Sequence, residues 1–576
     1  MASHATESTG LLDAHQHPDD GHEHRRSGSF VPEFVIDVFA EMQEELGEVA
    51  HDLVTFEELD PEVILEQAAD DGTVADMDST EVEEWVEHYI HPDDPHDPFT
   101  HTHEKLGVLP LAIIVFYNVS GGPFGVETSV RAGGNFFALL GFLVMPIIWS
   151  LAEALMTAEL GTAYPEASGG VAWVEEAFGT TAGWMSGYLG WIAGATDNAI
   201  YPVLFLDYLL AVMHRGADDV NPFLRFFFLS IASCLLGYIN WKGLPLVGKM
   251  STWICLIAMS PFLMMIIVGA PKVDTNRWFY IGNDLKAAED ATDDDVGGGF
   301  FPDANLFGVL WRPFLNNLFW NLNSFDAAGS FAGEIDNPGV LFPKAMFWGV
   351  ILVAAGYFFP LLVALGATDF DRQDWTDGFL AQVATDIGGP WLGAWTVFAA
   401  AISNIALFQA ELSADAFQLM GMADRGHIPK LFSKRSKHGT PTNGIILGTA
   451  VIVVMGTSNF DQLIEMLNFN YAIALLMEYA AFIKLRITQP EVERPYRIPL
   501  NTFGCILLFT PTCVVTILVM ALATYSTYIF VICTNIIGIL VFWAKTRSDR
   551  ARAVEEAANG AKVVDAANAT MATIPE

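Results

Sequence analysis

Only five cysteines occur in the 576 residues, and all of them, Cys234, Cys255, Cys505, Cys513 and Cys533, lie inside apolar stretches. They read as small buried residues, which argues against a disulfide framework and against zinc ligation. Basic residues are also scarce: 28 Lys and Arg stand against 68 Asp and Glu, for a formal net charge of −40. Nucleic acid is not expected as a partner. No nucleotide-binding loop, HExxH helix or GxSxG elbow appears, so ATP-driven pumping and hydrolysis both lack machinery. No enzymatic role, resident cofactor or metal is expected. A positively charged start followed by an apolar stretch and a small-residue cleavage site is missing at the N-terminus, so the expectation is no cleaved signal peptide and insertion directed by the first spanning helix.

What is present is hydrophobic residues, 52% of the chain with 12% aromatic, a profile that soluble globular proteins rarely reach. The acidity is concentrated at one end. Residues 1–105 hold 29 Asp and Glu against Arg25, Arg26 and Lys105, together with eleven of the 14 histidines. With so few residues able to form a core, this segment reads as a mostly disordered, acidic, His-rich cytoplasmic tail. Phe34, Val35, Val38, Phe39 and Met42 could form one short amphipathic helix within it. Residues 106–545 read as the membrane domain and 546–576 as a second cytoplasmic tail.

A spanning helix needs about 20 mostly apolar residues, and roughly twelve such stretches lie between Leu106 and Lys545. They are placed at 106–131, 135–160, 183–212, 222–240, 243–270, 306–332, 340–366, 389–421, 444–456 and 463–484, with two more in 501–543. An even number of spans puts both termini on one side. That side also receives Arg425, Lys430, Lys434, Arg435 and Lys437, then Lys484, Arg486, Arg494 and Arg497, and finally Lys545, Arg547 and Arg550. The bias of Lys and Arg toward cytoplasmic loops makes this the cytoplasmic face. Opposite loops are acidic, with Glu289 to Asp295 in one and Asp369, Asp371, Asp374 and Asp377 in another.

Spans one and six are each interrupted, the first at Ser120-Gly121-Gly122-Pro123-Phe124-Gly125 and the sixth at Asn321-Leu322-Asn323-Ser324-Phe325-Asp326. Breaks at corresponding positions five spans apart point to an inverted-repeat transporter, whose site lies where unwound backbone exposes N–H and C=O groups. A simple Gly/Pro kink in each helix is the alternative. Carboxylates within the spans add a second line: Glu127, Glu153, Glu159, Asp197, Asp207, Asp326, Glu411, Asp415 and Glu478. An ionised carboxylate at bilayer depth costs about 2.5–3.5 kcal/mol on insertion scales, and Lys249 is the main basic residue in these spans. A bound cation would answer several carboxylates at once. Glu153, Glu159, Asp207 and Asp415 sit near span ends, where headgroup exposure is the expectation. Asp326, Glu127 and Asp197, next to Asn198, are the candidates for substrate contact. Trp320, six positions before Asp326, offers a face on which an ammonium group gains about 2 kcal/mol when desolvated; Trp191, Tyr201 and Phe325 lie close by in this reading.

At this point the residues resemble the amino acid-polyamine-organocation superfamily, and within it the polyamine:proton symporters of plants and protists. The stretches that carry the resemblance are Phe116 to Glu127, Asp197 to Tyr208, Asn321-Leu322-Asn323 with Phe325-Asp326, Ala332-Gly333-Glu334, Asn337-Pro338, Phe417 to Gly426, and Arg494 to Pro499. The resemblance implies an all-α integral membrane fold of about 12 transmembrane helices: a LeuT-like 5+5 inverted repeat plus two further helices, with broken helices one and six and alternating access. It also implies uptake coupled to protons and a Trp–carboxylate pair on the substrate, here Trp320 and Asp326. Ser120, Gly121, Gly122, Gly125, Glu127, Asp197, Asn198, Asn321, Asn323, Ser324 and Phe325 complete the expected substrate set. Some proton-coupled relatives hold a lysine in mid-span five, where this chain has Trp253 to Pro261, and relatives often hold an aromatic where Ser324 stands. The loop 213–221 has no cysteine, so no disulfide-linked heavy chain is expected as a partner.

Three readings follow. The first is a secondary transporter importing polyamines of the putrescine and spermidine class through the plasma membrane or an internal one. The second keeps the fold for a neutral or cationic amino acid, its carboxylate held by N–H groups around Ser120, Gly121 and Gly122. The third is a nutrient sensor signalling through the acidic tail.

Overall fold

A computed structural model describes residues 106–212, 221–280, 305–335, 337–376, 378–455 and 460–547. The acidic tail, its pattern at Phe34 to Met42 and the carboxylates Glu289 to Asp295 lie outside the described residues. Of the acidic loop near Asp369, Asp377 does too, and the side chain of Asp207 is not described.

The first span runs as Val108–Val119 and stops at Ser120. Pro123 carries no N–H to continue a helix, and Gly122 and Gly125 take left-handed φ values of 98° and 81° that only glycine adopts without strain. Helix resumes at Glu127 and continues to Met145, but Gly134 (φ 71°, ψ 177°) breaks it, which ends the first span and opens the second where the sequence places that boundary. Pro146 lacks a donor in turn, and a π-helical turn over Pro146–Ser150 leads into Leu151–Ala163.

Span six repeats the design. Its first half, Trp311–Leu322, ends at an extended Asn323; Ser324 takes φ 76°, and a 3-10 segment follows over Asp326–Glu334. A short hairpin pairing Asn305–Leu306 with Val309–Leu310 precedes it, the one departure from helix among the named elements of the described residues.

The other spans are Thr180–Asn198 with Ile200–Val212, Pro222–Trp241, Leu244–Gly269, Pro338–Ala367, Pro390–Asp424, Thr442–Met455, Phe460–Thr488, Thr502–Ala521 and Tyr525–Arg547. Eight helices of the described residues are long and apolar enough to cross a membrane unaided. The broken and short ones complete the twelve-span order. Two short helices, Gly170–Phe178 and Leu380–Gly388, lie in connections that the sequence reads as loop.

The end of the bundle that carries the Lys and Arg residues is held by two ionic clusters. Glu159 was expected at headgroup level and Arg486 in a cytoplasmic loop; instead both side chains are buried. Arg486 Nε donates to Glu159 Oε1 at 2.8 Å and Nη2 to Oε2 at 2.5 Å, and Nη1 donates to the Leu500 carbonyl at 2.6 Å. The loop from Gln489 to Leu500 folds back and supplies the Ile498 N–H to Glu159 at 2.9 Å, which sequence position alone does not reveal.

The second cluster ties the end of span eight to the connection between spans two and three. Arg425 donates to Glu166 at 2.8 and 2.9 Å, to Glu175 at 3.0 Å and to Glu176 at 3.3 Å. Burial pushes the Glu166 and Glu175 carboxyls up, but the hydrogen bonds from Arg425 outweigh it and hold both below the usual carboxylate range. His427 Nε2 stands 3.0 Å from Glu175 Oε2. Burial pushes the His427 imidazole below its ordinary value, against the attraction of Glu175.

Two outcomes follow. Glu159→Gln leaves a buried guanidinium without its counter-charge and should cost about 3–5 kcal/mol, read as a lower melting temperature in detergent; an unchanged melting temperature would contradict the pairing. Because His427 is depressed in the closed cluster, the open form takes up a proton first as pH falls below about 6.5. The closed cluster therefore loses stability on acidification through that value, whereas Glu166 and Glu175 lose theirs only below about 4.3. Ser186 is buried on span three; thiol labelling of a cysteine placed there, taken relative to an exposed thiol at the same pH because the reactive thiolate declines on acidification, should rise between neutral and mildly acid pH and lose this dependence in His427→Asn.

Candidate functional site

The two breaks face each other across the middle of the bundle, and side chains of neighbouring spans answer their unwound backbone. Asn317 Nδ2 donates to the Gly125 carbonyl at 2.8 Å and Asn321 Nδ2 to the same oxygen at 3.3 Å. Asn317 is itself fixed by Ser129 Oγ at 2.5 Å, and Asn321 by the Tyr357 hydroxyl at 2.8 Å. Ser403 Oγ of span eight donates to the Gly121 carbonyl, and Ser150 Oγ to the Leu322 carbonyl at 2.7 Å. Carbonyls freed by a break in an apolar medium require such partners; here Asn317 and Asn321 tie the two breaks together, while Ser403 and Ser150 tie them to spans eight and two.

A cavity of about 720 Å³ opens above them. Ser120, Gly121, Gly125, Glu127, Asp197, Trp320, Asn321 and Ser324 line it, and its walls reach the exposed residues Arg131 and Thr376 on the side of the acidic loops. Trp320 is part of its wall. Its ring lies against Gly125, where a Cβ would stand 2.9 Å from Cζ3, so the ring and the left-handed backbone of span one require glycine together. Its Nε1–H donates to Asp197 Oδ1 at 3.0 Å, while the Tyr201 hydroxyl donates to Asp197 Oδ2 at 3.0 Å.

Asp197 and Ser324 also line a second cavity of about 50 Å³, enough for an ammonium group or a water or two. Asn323, Ser324 and Asp326 of span six line it, with Asp197, Glu411, Asp415 and Glu478, and no Lys or Arg of the described residues does. The Tyr471 hydroxyl stands between two carboxylates here. It bonds Asp326 and lies 2.9 Å from Glu153 Oε1, while accepting the Ser324 N–H at 3.0 Å. Glu153 also accepts the Asp326 N–H at 3.2 Å.

Most of the expected substrate set lines one cavity or the other; three members do not. Phe325 is fully buried in the core, Asn198 is buried at the end of its helix, and Gly122 packs toward Met259. None of the three lines either cavity. Trp191 packs in a separate apolar cluster with Trp184, Leu419 and Met422. Glu153 and Asp415, expected at headgroup level, are instead buried beside the breaks, because spans two and eight run on past this depth and their helix ends lie farther out. Glu127 lines the large cavity and accepts the Leu380 N–H at 3.4 Å. Tyr471, Tyr357, Asn317 and Ser403 went unselected. The run Asn468-Phe469-Asn470-Tyr471, polar in mid-span, is the signal that could have found Tyr471. Among the described residues, no group of three His, Cys, Asp or Glu side chains is arranged to hold a metal ion.

Comparison with known proteins agrees with this architecture. The amino acid permease family model matches residues 106–542. A probable polyamine transporter of Arabidopsis thaliana is 43% identical over 430 residues, covering 74% of this chain and 84% of its own. A polyamine transporter of Oryza sativa subsp. japonica is 40% identical over 430 residues, covering 74% and 76%. More distantly, the lysine-specific permease LysP of Lactococcus lactis is 25% identical over 425 residues, covering 69% and 77%. With two broken spans enclosing its cavities and a match across the whole helical region, the chain belongs to the amino acid permease family and is a membrane transporter.

Proposed function

We propose that this carrier imports polyamines of the putrescine and spermidine class together with protons. The observation that carries the reading is the cavity wall: Asp197, Asp326, Glu411, Asp415 and Glu478 converge on about 50 Å³ that no Lys or Arg of the described residues enters. A flexible cation with several ammonium groups answers that charge. Trp320 forms the gate, offering its ring to an ammonium group from the large cavity while its N–H holds Asp197.

The second reading, an amino acid carrier, asks the N–H groups around Ser120, Gly121 and Gly122 to hold a substrate carboxylate. Two of the three are engaged elsewhere: Ser120 N–H donates to the Phe116 carbonyl at 2.7 Å and Gly122 N–H to Ser120 Oγ at 3.1 Å. The distant likeness to a lysine-specific permease supports it only for a basic amino acid.

In this proposal the Lys/Arg-rich face is cytoplasmic, following the charge bias of membrane loops, the membrane is the plasma membrane, and both tails lie inside. The large cavity then opens outward and the Arg425 cluster closes the cytoplasmic end. Inward movement of a polycation gains about 2.3 kcal/mol per charge per 100 mV. Glu153 lines neither cavity yet touches Asp326 through the Asp326 N–H and through Tyr471; these contacts support a reading in which it takes the coupling proton.

Uptake of radiolabelled spermidine into cells without polyamine carriers of their own tests this. Saturable, acid-stimulated uptake is expected, inhibited by putrescine and lost in Asp326→Asn. Trp320→Ala should raise KM about thirtyfold, the equivalent of a cation–π contact of about 2 kcal/mol. Glu153→Gln should retain spermidine binding and lose the acid stimulation. Transport of arginine or leucine without spermidine would establish the amino acid reading instead.

A further inference from the structure

The acidic segment 1–105 joins the described fold beside an exposed basic loop. Leu106 is buried, its Cδ2 lying where a Cβ on Gly248 of span five would meet it at 3.3 Å. Its N–H donates to the Glu334 carbonyl at 3.4 Å, and it forms a β-bridge with Ile335. The Glu334 carboxylate in turn accepts two hydrogen bonds from Arg435, from Nη2 at 2.6 Å and from Nη1 at 3.0 Å. A single residue, Glu334, therefore links the attachment point of the segment to the connection between spans eight and nine.

That connection is built to present positive charge. A 3-10 turn over Lys430–Ser433 opens it, and Arg435 bridges to Pro441 across a turn closed by the Ser436 N–H on the Thr440 carbonyl at 2.7 Å. Thr440 Oγ1 donates to the Trp241 carbonyl at 2.8 Å, which places the neighbouring Lys242 at the edge of the loop. Lys242, Lys430, Lys434, Arg435 and Lys437 are all exposed. Arg435 has Glu334, but among the described residues no carboxylate pairs with Lys430, Lys434 or Lys437.

The segment has the complementary charge, 29 Asp and Glu against three basic residues, with eight of the acidic residues in 81–105 alone. Covalent attachment next to the loop makes the encounter intramolecular, at an effective concentration of the order of millimolar. We propose that segment 1–105 docks on the loop 430–437, its carboxylates pairing with Lys430, Lys434 and Lys437. Leu106 sets segment and loop on one face of the bundle, so the docking depends neither on which amine is carried nor on which side of the membrane that face lies.

The test is photo-cross-linking of the full-length carrier, one molecule per phosphatidylcholine nanodisc, with benzoylphenylalanine in place of the exposed Leu431. Mass spectrometry should find peptides of 1–105 joined to the loop. Their yield should fall about fivefold or more between 0.1 and 1 M salt, which shortens the reach of charge from about 10 Å to about 3 Å. Combined Lys430→Gln, Lys434→Gln and Lys437→Gln should lower it as far at 0.1 M salt, and the same three positions changed to Arg should not. Should the glutamine variant fail to fold, the salt series on the native lysines decides. Absence of such peptides, or a yield indifferent to salt and to the lysines, would overturn the docking. Cross-links that pass from the segment to lipid when phosphatidylserine is included would overturn it too, assigning the loop to anionic headgroups.

Discussion

Buried carboxylates that no Lys or Arg of the described residues answers are the constraint on which this structure turns. Taking an ionised carboxylate out of water is costly unless an opposite charge or a set of donors replaces the solvent. At the Lys/Arg-rich end the chain meets that demand internally: Glu159 is held by Arg486, and Glu166 and Glu175 by Arg425. Around the breaks it does not. Among the described residues, Asp197 is held by Trp320 and Tyr201, Asp326 by Tyr471, and the span-eight pair, Glu411 and Asp415, faces a glycine. Structural ion pairs and the proposed ligand site are thus separated along the bundle, and among the described residues the ion pairs have their counter-charge within the chain whereas the small cavity does not.

The breaks make the unpaired charge usable. A continuous helix would bury its carbonyls and leave no room between spans one and six. Here the Gly121, Gly125 and Leu322 carbonyls are taken by Ser403, by Asn317 with Asn321, and by Ser150. The unwound segments are therefore fixed rather than loose, and each partner comes from a different span. Movement of span six relative to span one has to exchange the bonds from Asn317 and Asn321 to Gly125.

Both breaks were legible in the sequence because their causes are local: a proline that cannot donate, glycines with positive φ, and two asparagines in an apolar run. The span order was legible for the same reason, since length and hydropathy are local quantities. Tertiary partners were not. Glu159 and Arg486 are 327 residues apart, and nothing near either announces the other. Glu153 looked peripheral because depth was judged from the nearest helix end, whereas packing of span two on the break in span six sets it. Tyr471 was one tyrosine among many in a membrane chain. Phe325 and Asn198 were chosen by adjacency in sequence to residues that do line the cavities, and helical or extended geometry turns neighbours to different faces.

The central claim, that a substrate polycation supplies the charge missing around Asp326, is tested most directly with the purified carrier in liposomes carrying an imposed, inside-negative potential. Spermidine and lysine accumulation would be measured side by side for wild type and Asp326→Asn. The account predicts potential-dependent spermidine accumulation in wild type that disappears in the variant, with little lysine taken up by either. Lysine accumulation without spermidine, or spermidine accumulation that survives Asp326→Asn, would contradict it.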